Sequence, residues 1–97
     1  MIVHPETEKA SKVITASALI QTGGTVVSAI SLDGGTAATG AVVTLDDSVA
    51  GDGTDKWALR APQYGSASIT FSKPIFFADG CYATLTGTAS QASIAYV

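Results

Sequence analysis

Short runs in which apolar and polar residues alternate are the feature that most constrains the fold of this chain. The clearest run is TVVSAISL, at residues 25–32. As a strand it has two faces: one carries Val26, Ser28, Ile30 and Leu32, and the other carries Val27, Ala29 and Ser31. No apolar period of 3.6 residues is sustained over three turns, and Thr, Val and Ile are abundant, which favours strands over helices. We therefore predict an all-β chain.

Alternation and turn residues together predict about eight short strands. Their expected ranges are 12–15, 25–32, 41–45, 56–61, 67–71, 75–78, 81–86 and 92–97, with 19–22 as a further candidate. The pairs expected to share a face in the later strands are Trp57 with Leu59, Ile69 with Phe71, and Ala92 with Ile94 and Tyr96.

Asp-Gly steps at residues 33–35 and 79–80 lie between such runs. Asp-Gly is typical of a hairpin, because a type I′ turn needs positive φ at both central residues. Short strands with no helix to cover a parallel sheet predict two packed antiparallel sheets. The expected fold is an antiparallel β-sandwich, jelly-roll or Greek-key-like, rather than a closed barrel.

The composition predicts a lightly filled core. Ala, Gly, Ser and Thr account for 48 of the 97 residues, so much of the apolar content is alanine. Burying one Leu, Ile or Phe contributes roughly 1.5–3 kcal/mol, whereas ordering each residue costs about 1–2 kcal/mol of backbone entropy. We expect a marginally stable single protomer that gains stability by oligomerising or by docking on a larger surface.

The charge balance argues against nucleic acid as a partner. The formal charge is −3 and only five basic residues are present, scattered along the chain, whereas nucleic-acid affinity needs clustered Lys and Arg. The start, MIVHPETEKASK, has no basic segment followed by an apolar run, and no stretch approaches the roughly 18 apolar residues of a membrane span. We expect a soluble, non-secreted product with no membrane partner.

The chain is expected to form one domain preceded by an arm. Residues 1–12 are charged and contain a proline, which is typical of an extended arm that becomes ordered on a neighbour. Residues 13–97 form the predicted β-sandwich domain. The single cysteine, Cys81, excludes an intramolecular disulfide and lies in a strand-like run, where we expect it to be a small buried apolar residue.

Residues 46–55, DDSVAGDGTD, raise the question of a metal site. An EF-hand loop needs a glutamate six residues past its glycine, and the chain has no glutamate after Glu8. Residues 50–58 match the calcium-binding nonapeptide at every specified position except the first, but one copy supplies only half a site. A polar loop between two strands is the favoured interpretation, and calcium ligands would have to come from Asp46, Asp47, Asp52 and Asp55.

No other group of residues predicts catalysis or a cofactor. His4, Glu6 and Glu8 would share a face of an extended arm, but a solvated terminal tail is the favoured reading. The sole histidine lies in that tail, so no Ser-His-Asp set is easily drawn, and Cys81 with His4 would be the only Cys-His pair. We predict that the protein is not an enzyme and has no cofactor or metal.

An exposed stacking patch of Trp57, Arg60 and Tyr64 is an alternative kind of site, suited to a sugar or another protein. Trp57 shares its face with Leu59, however, and core packing is favoured for it. Arg60 and Lys73 are expected to be surface charges.

The C-terminal run, PIFFADGCYATLTGTASQASIAYV, resembles the ending of small structural proteins of tailed bacteriophages. The matching residues are Phe77, Asp79, Gly80, Tyr82, Thr84, Leu85, Gly87, Thr88 and Tyr96, and the resemblance extends over residues 26–97. Cys81 stands where that family usually has leucine.

The resemblance implies a virion component without catalytic residues. It would be a capsid decoration, or cement, protein with a β-sandwich or jelly-roll fold, present as homotrimers on the capsid surface and bridging subunits of the major capsid protein. Fold alone does not establish function. The alternative is a module of a tail or head fibre that binds a host receptor or carbohydrate through Asp52, Asp55, Trp57 and Tyr64.

Overall fold

The computed structural model describes residues 10–97, and in that range it consists of eight β-strands and no helix. The strands are β1 (Ala10–Ile14), β2 (Ala18–Thr22), β3 (Thr25–Asp33), β4 (Ala41–Asp47), β5 (Thr54–Ala61), β6 (Ser66–Phe77), β7 (Gly80–Thr86) and β8 (Gln91–Tyr96). The predicted all-β class is confirmed. Most of the predicted arm, residues 1–9, lies outside the described residues, and residues 10–12 belong to β1.

Two predicted strands, 67–71 and 75–78, are parts of the single long strand β6, and the further candidate at 19–22 falls within β2. β6 continues through Pro74 because it lies at the edge of its sheet, where a missing N–H breaks no ladder bond. Between the two predicted strands the structure has a shift of register with β3 instead of a break in the strand. Residues 71–74 lie between Thr70 and Ile75, which pair with Ala29 and Val27 on β3.

The strands form two four-stranded sheets, in the orders β1-β8-β3-β6 and β2-β7-β4-β5. All pairings are antiparallel. β4 pairs with β5, β3 with β6, β2 with β7 and β1 with β8, which are the pairings of a chain folded in half at residues 48–53. Successive pairs then alternate between the two sheets. This arrangement is a jelly-roll sandwich, as the sequence predicted among its alternatives.

In this topology, the connection between β4 and β5 is the only hairpin among residues 10–97, since each of the others crosses from one sheet to the other. The predicted Asp-Gly hairpins at 33–35 and 79–80 are therefore wrong. Neither aspartate has the positive φ of a type I′ turn. Asp33 instead accepts the Gly35 N–H at its own Oδ1, 3.0 Å away, and Gly35 has φ +67°, which redirects the chain toward the other sheet.

β3 has a bulge at Ser28, so the prediction that Val26 shares a face with Ile30 and Leu32 is wrong. Val27 pairs with Tyr96 and Ala29 with Ala95, so Ser28 has no partner of its own on β8. The extra residue reverses the alternation. Val27 is buried before the bulge and Ile30 after it, while Val26 is only half-buried. The Ser28 hydroxyl donates to the Ala95 carbonyl at 3.3 Å.

The core lies between the sheets and is built mainly from aliphatic side chains. Four of its fifteen buried apolar residues are alanine, and Phe77 is its one fully buried aromatic residue. The predicted face-sharing of Trp57 with Leu59, of Ile69 with Phe71, and of Ala92 with Ile94 is confirmed, since all six belong to the core or pack against it. Among the described residues there is no apolar helix of membrane-spanning length.

The two ends of the sandwich differ in charge. At one end lie the connections 15–17, 34–40, 62–65 and 87–90, none of which contains a charged residue. We call it the uncharged end; the one acidic residue at its adjoining strand ends is Asp33, whose carboxylate accepts the Gly35 N–H. At the other end lie the connections 23–24, 48–53 and 78–79. This acidic end carries five of the eight acidic residues of the chain, in its connections and at the adjoining strand ends: Asp46, Asp47, Asp52, Asp55 and Asp79.

Candidate functional site

The predicted polar loop at residues 46–55 is the hairpin between β4 and β5, and its first carboxylate has a structural role. Asp46 is only 3% exposed. It accepts the Ser48 hydroxyl at 2.8 Å and the Gly53 N–H at 3.2 Å. The Ser48 Oγ in turn accepts the N–H groups of Gly51 and Asp52 at 2.8 and 3.2 Å. Asp46 therefore organises the hairpin through backbone amides.

The second carboxylate of this stretch, Asp47, ties the hairpin to the connection between β6 and β7. It accepts the N–H groups of Asp79 and Ala78 at 2.8 and 3.2 Å. The Lys56 ammonium lies 3.7 Å from its Oδ2. These donors favour the charged carboxylate, the Asp79 N–H most of all, and so hold the pKa of Asp47 below its usual range.

The four aspartates proposed as possible calcium ligands do not form one cage. Asp46 and Asp47 are hydrogen-bonded as described, whereas Asp52 and Asp55 are exposed. Within residues 10–97, no group of three or more His, Cys, Asp or Glu side chains is placed to hold a metal ion. The nonapeptide match at 50–58 lies in an antiparallel hairpin, whereas that motif binds calcium between stacked parallel turns.

Cys81 is a fully buried residue of β7, as expected of a small apolar side chain. Burial raises the pKa of its thiol to about 12, and the carboxylates of Asp46 and Asp47 act in the same direction. The thiol is therefore protonated at neutral pH, the unreactive state. The other residues of the proposed Cys-His pair and tail cluster, His4, Glu6 and Glu8, lie outside the described residues.

The structure separates the residues of the stacking patch. Trp57 is half-buried and makes an edge-to-face contact with Phe71, with ring centroids 4.9 Å apart. Arg60 is exposed and lies on the opposite face of β5. Tyr64 lies in the connection 62–65 at the uncharged end, whereas Asp52 lies at the acidic end, on the opposite end of the sandwich. No single surface therefore contains this set.

The uncharged end is a set of mutually bonded connections. The Tyr64 N–H donates to the Gly35 carbonyl at 2.9 Å, and the Gly34 N–H donates to the Gly65 carbonyl at 2.8 Å. The Thr36 N–H donates to the Thr88 carbonyl at 2.9 Å. A Cβ at Gly35 would overlap the Thr88 carbonyl oxygen, so the connections pack backbone against backbone. This end is a preorganised surface.

Tyr64 is the outstanding residue of the uncharged end. The residue is 77% exposed, the largest value among the exposed large hydrophobic residues, and its φ is +59°. The other described non-glycine residue with positive φ, Ala89 at +57°, lies at the same end. A left-handed residue that is not glycine costs roughly 1–2 kcal/mol, and such strain clusters at functional sites.

The sequence indicated Tyr64 only as a member of two larger sets, the stacking patch with Trp57 and Arg60 and the receptor-binding set with Asp52, Asp55 and Trp57. Residues 62–65, PQYG, predict a turn through their Pro and Gly, but nothing in this stretch shows that Tyr rather than Gly takes the left-handed position.

A surface of mutually bonded connections with one projecting aromatic ring suits binding, because buried aromatic anchors dominate interface energetics. No pocket is present in the part of the chain that the structure describes.

Comparison with protein-family models, with curated proteins and with solved structures finds no match to this chain. The residues that carry the resemblance to phage structural proteins have architectural positions. Phe77 is buried in the core, Asp79 and Gly80 form the turn into β7, and Gly87 has φ +117° beside the backbone of Gly40. These residues support the fold rather than a site.

Proposed function

We propose that this protein is a non-enzymatic virion component of a tailed bacteriophage, a capsid decoration protein that bridges subunits of the major capsid protein. The virion assignment rests on the resemblance carried by residues 26–97. The jelly-roll order is compatible with it, since viral capsid domains use this fold, although fold does not imply function.

The observation that carries the binding role is Tyr64. An exposed aromatic ring on a strained backbone is poorly explained by stability of the free protomer, because glycine would remove the strain. It is well explained as an anchor that inserts into a partner surface. In this proposal, the uncharged end faces the shell and Tyr64 enters a recess between neighbouring capsid subunits.

The small side chains on the outer face of the first sheet support close lateral packing in the proposed homotrimer. Ser31 pairs with Ser68 on one side and with Ser93 on the other. Small side chains of this kind let neighbouring surfaces approach without a large loss of side-chain entropy. Oligomerisation would also compensate for the alanine-rich core.

The proposal is tested by quantitative mass spectrometry of gradient-purified particles of the phage that encodes this chain. We expect the chain at a fixed stoichiometric ratio to the major capsid protein. We also expect particles that lack the chain to be less resistant to heat or to mechanical stress. Its absence from purified particles, or undiminished robustness of particles without it, would overturn the proposal.

The contact surface is tested by adding variants to particles that lack the chain. Tyr64→Gly removes the ring and relieves the left-handed strain, so it should keep the fold and bind the shell at least tenfold more weakly, as expected when an anchor is lost. Val49→Ser is the matched control, since Val49 is also an exposed apolar residue, 49% exposed, but lies at the acidic end. Equal binding by the two variants would contradict the assigned surface.

A fibre module that binds a host receptor or carbohydrate is the second candidate, and Tyr64 is again the observation that favours it. An exposed phenol can stack on a sugar ring, and lectin domains also use the jelly-roll fold. A glycan array distinguishes the two candidates. Binding that is lost in Tyr64→Gly would support the fibre module, whereas shell binding without any glycan signal would support the decoration protein.

A further inference from the structure

The side of the sandwich bounded by β5 and β6 is incompletely closed. Six apolar side chains there pack against the core but stay half-buried: Trp57, Leu59, Ala67, Ile69, Phe71 and Ile75. On the opposite side, Ile14 of β1 and Ile20 of β2 are both buried. The Lys12 ammonium closes that side by donating to the Leu19 carbonyl of the other sheet at 2.9 Å.

This β5–β6 side is also where the positive charge of the chain is concentrated. Three of the five basic residues, Lys56, Arg60 and Lys73, lie on these two strands, and the one acidic residue there, Asp55, lies at the start of β5 beside the acidic end. Lys56 is engaged within the protomer, since its ammonium donates to the Phe76 carbonyl at 2.8 Å and lies 5.7 Å from the centre of the Phe77 ring. Arg60 and Lys73 are exposed. Arg60 lies on the outer face of β5, beside rather than among the half-buried apolar side chains, and arginine at the border of an apolar surface is typical of protein interfaces.

The complementary surface is present on the same molecule. At the acidic end, Asp52, Asp55 and Asp79 are all exposed. Charges of opposite sign on two surfaces of one chain favour contact between copies and fix its orientation.

We propose that the acidic end of one copy docks onto the β5–β6 side of a second copy. A symmetric contact of two β5–β6 sides would bring the exposed cations Arg60 and Lys73 of both copies into one interface and would leave Asp52 and Asp79 outside it, which is unfavourable. The contact is therefore head-to-side, and a contact of this kind gives a closed ring where its rotation closes and an open assembly otherwise. This contact goes beyond the proposed function, because it concerns the self-association of the isolated chain and is tested without particles.

The experiment is sedimentation of the wild-type chain and of two charge-reversed variants. Arg60→Glu with Lys73→Glu reverses the basic side, and Asp52→Lys with Asp79→Lys reverses the acidic end. We expect each variant alone to associate at least about tenfold more weakly than wild type, because like charges then face each other. An equimolar mixture of the two should associate again, since each then offers the complement of the other.

Trp57 supplies a second readout that is local to the proposed contact. It is the only tryptophan of the chain, so its emission should shift to the blue and become less accessible to a neutral quencher as association proceeds. Circular dichroism and the melting temperature of each variant serve as controls for folding. A wild-type chain that stays monomeric at all attainable concentrations, association indifferent to both reversals, or association without a change at Trp57 would each overturn the proposal.

Discussion

The carboxylate of Asp47 on β4 accepts the backbone N–H of Asp79 at 2.8 Å, across 32 residues of chain. It accepts the Ala78 N–H as well. A turn that the sequence assigns to the local geometry of Asp-Gly is thus held by a side chain from the other half of the polypeptide. This bond joins the hairpin at the midpoint of the chain to the crossing from one sheet to the other.

Substituting Asp47 by Asn should lower the melting temperature at neutral pH, because an amide oxygen is a weaker acceptor than a carboxylate. The pKa of Asp47 is lowered in the folded state, so its contribution is present above the unfolded value of about 3.9 and is lost as pH falls through the folded pKa. Thermal melts across this acid range should show a steeper loss for wild type than for Asp47→Asn.

Asp52→Asn is the control for that comparison. Asp52 is exposed, and within residues 10–97 its carboxylate accepts no hydrogen bond. This variant should therefore follow the wild-type acid profile. Parallel behaviour of Asp47→Asn and wild type below pH 4 would show that the Asp47 carboxylate does not stabilise the fold.

Calcium should leave the melting temperature unchanged. The oxygens of Asp46 and Asp47 that a cation would need already accept backbone and hydroxyl hydrogen bonds. A specific ligand at a hundredfold excess over its dissociation constant would add about 2.7 kcal/mol of stability, which a thermal melt readily detects. Magnesium at equal ionic strength is the control, and a rise specific to calcium would show that the acidic hairpin is a metal site.

Replacing Gly35 by Ala should destabilise the protein by more than about 2 kcal/mol, because a left-handed residue and an overlapping Cβ combine two costs. Gly35 has φ +67°, and its Cβ would meet the Thr88 carbonyl oxygen. Gly23→Ala isolates the first cost, since Gly23 has φ +80° but open space around its Cβ position. Chemical denaturation of both variants measures the difference, and equal losses would mean that the connections at the uncharged end are not tightly packed.

The Cys81 thiol should resist alkylation in the native protein and react fully after unfolding. Burial raises its pKa to about 12, so the nucleophilic thiolate is scarce in the folded state. Because the folded pKa is raised, the stability linked to this group is complete below the unfolded value of about 8.5 and declines as pH rises toward 12. Labelling rates with iodoacetamide at pH 8 test this, and rapid labelling without denaturant would contradict the buried position.

The fold class could be predicted because alternation along the strands is a local property of the sequence. The pairing of the strands could not, since it depends on contacts between distant segments. Asp33–Gly35 and Asp79–Gly80 read as local hairpins, yet they cross between the sheets. Ser28 adds one residue to β3, and no local signal separates a bulged serine from an alternating one.

The candidate site illustrates the same division. The sequence predicted a polar loop between two strands at residues 46–55, and these residues form the hairpin between β4 and β5. It did not single out Tyr64, because a tyrosine in the left-handed region runs against the local preference of the backbone. That conformation is imposed by the Gly35 carbonyl and by packing of the four connections at the uncharged end, which become neighbours only after folding.

A cryo-electron microscopy reconstruction of the assembled particle tests the central claim most directly. We expect density for this sandwich on the outer surface of the shell, with the Tyr64 ring seated between capsid subunits and the Asp52 hairpin directed away from the shell. Density with the acidic end against the shell, or a complete shell with no density for this chain, would contradict the account.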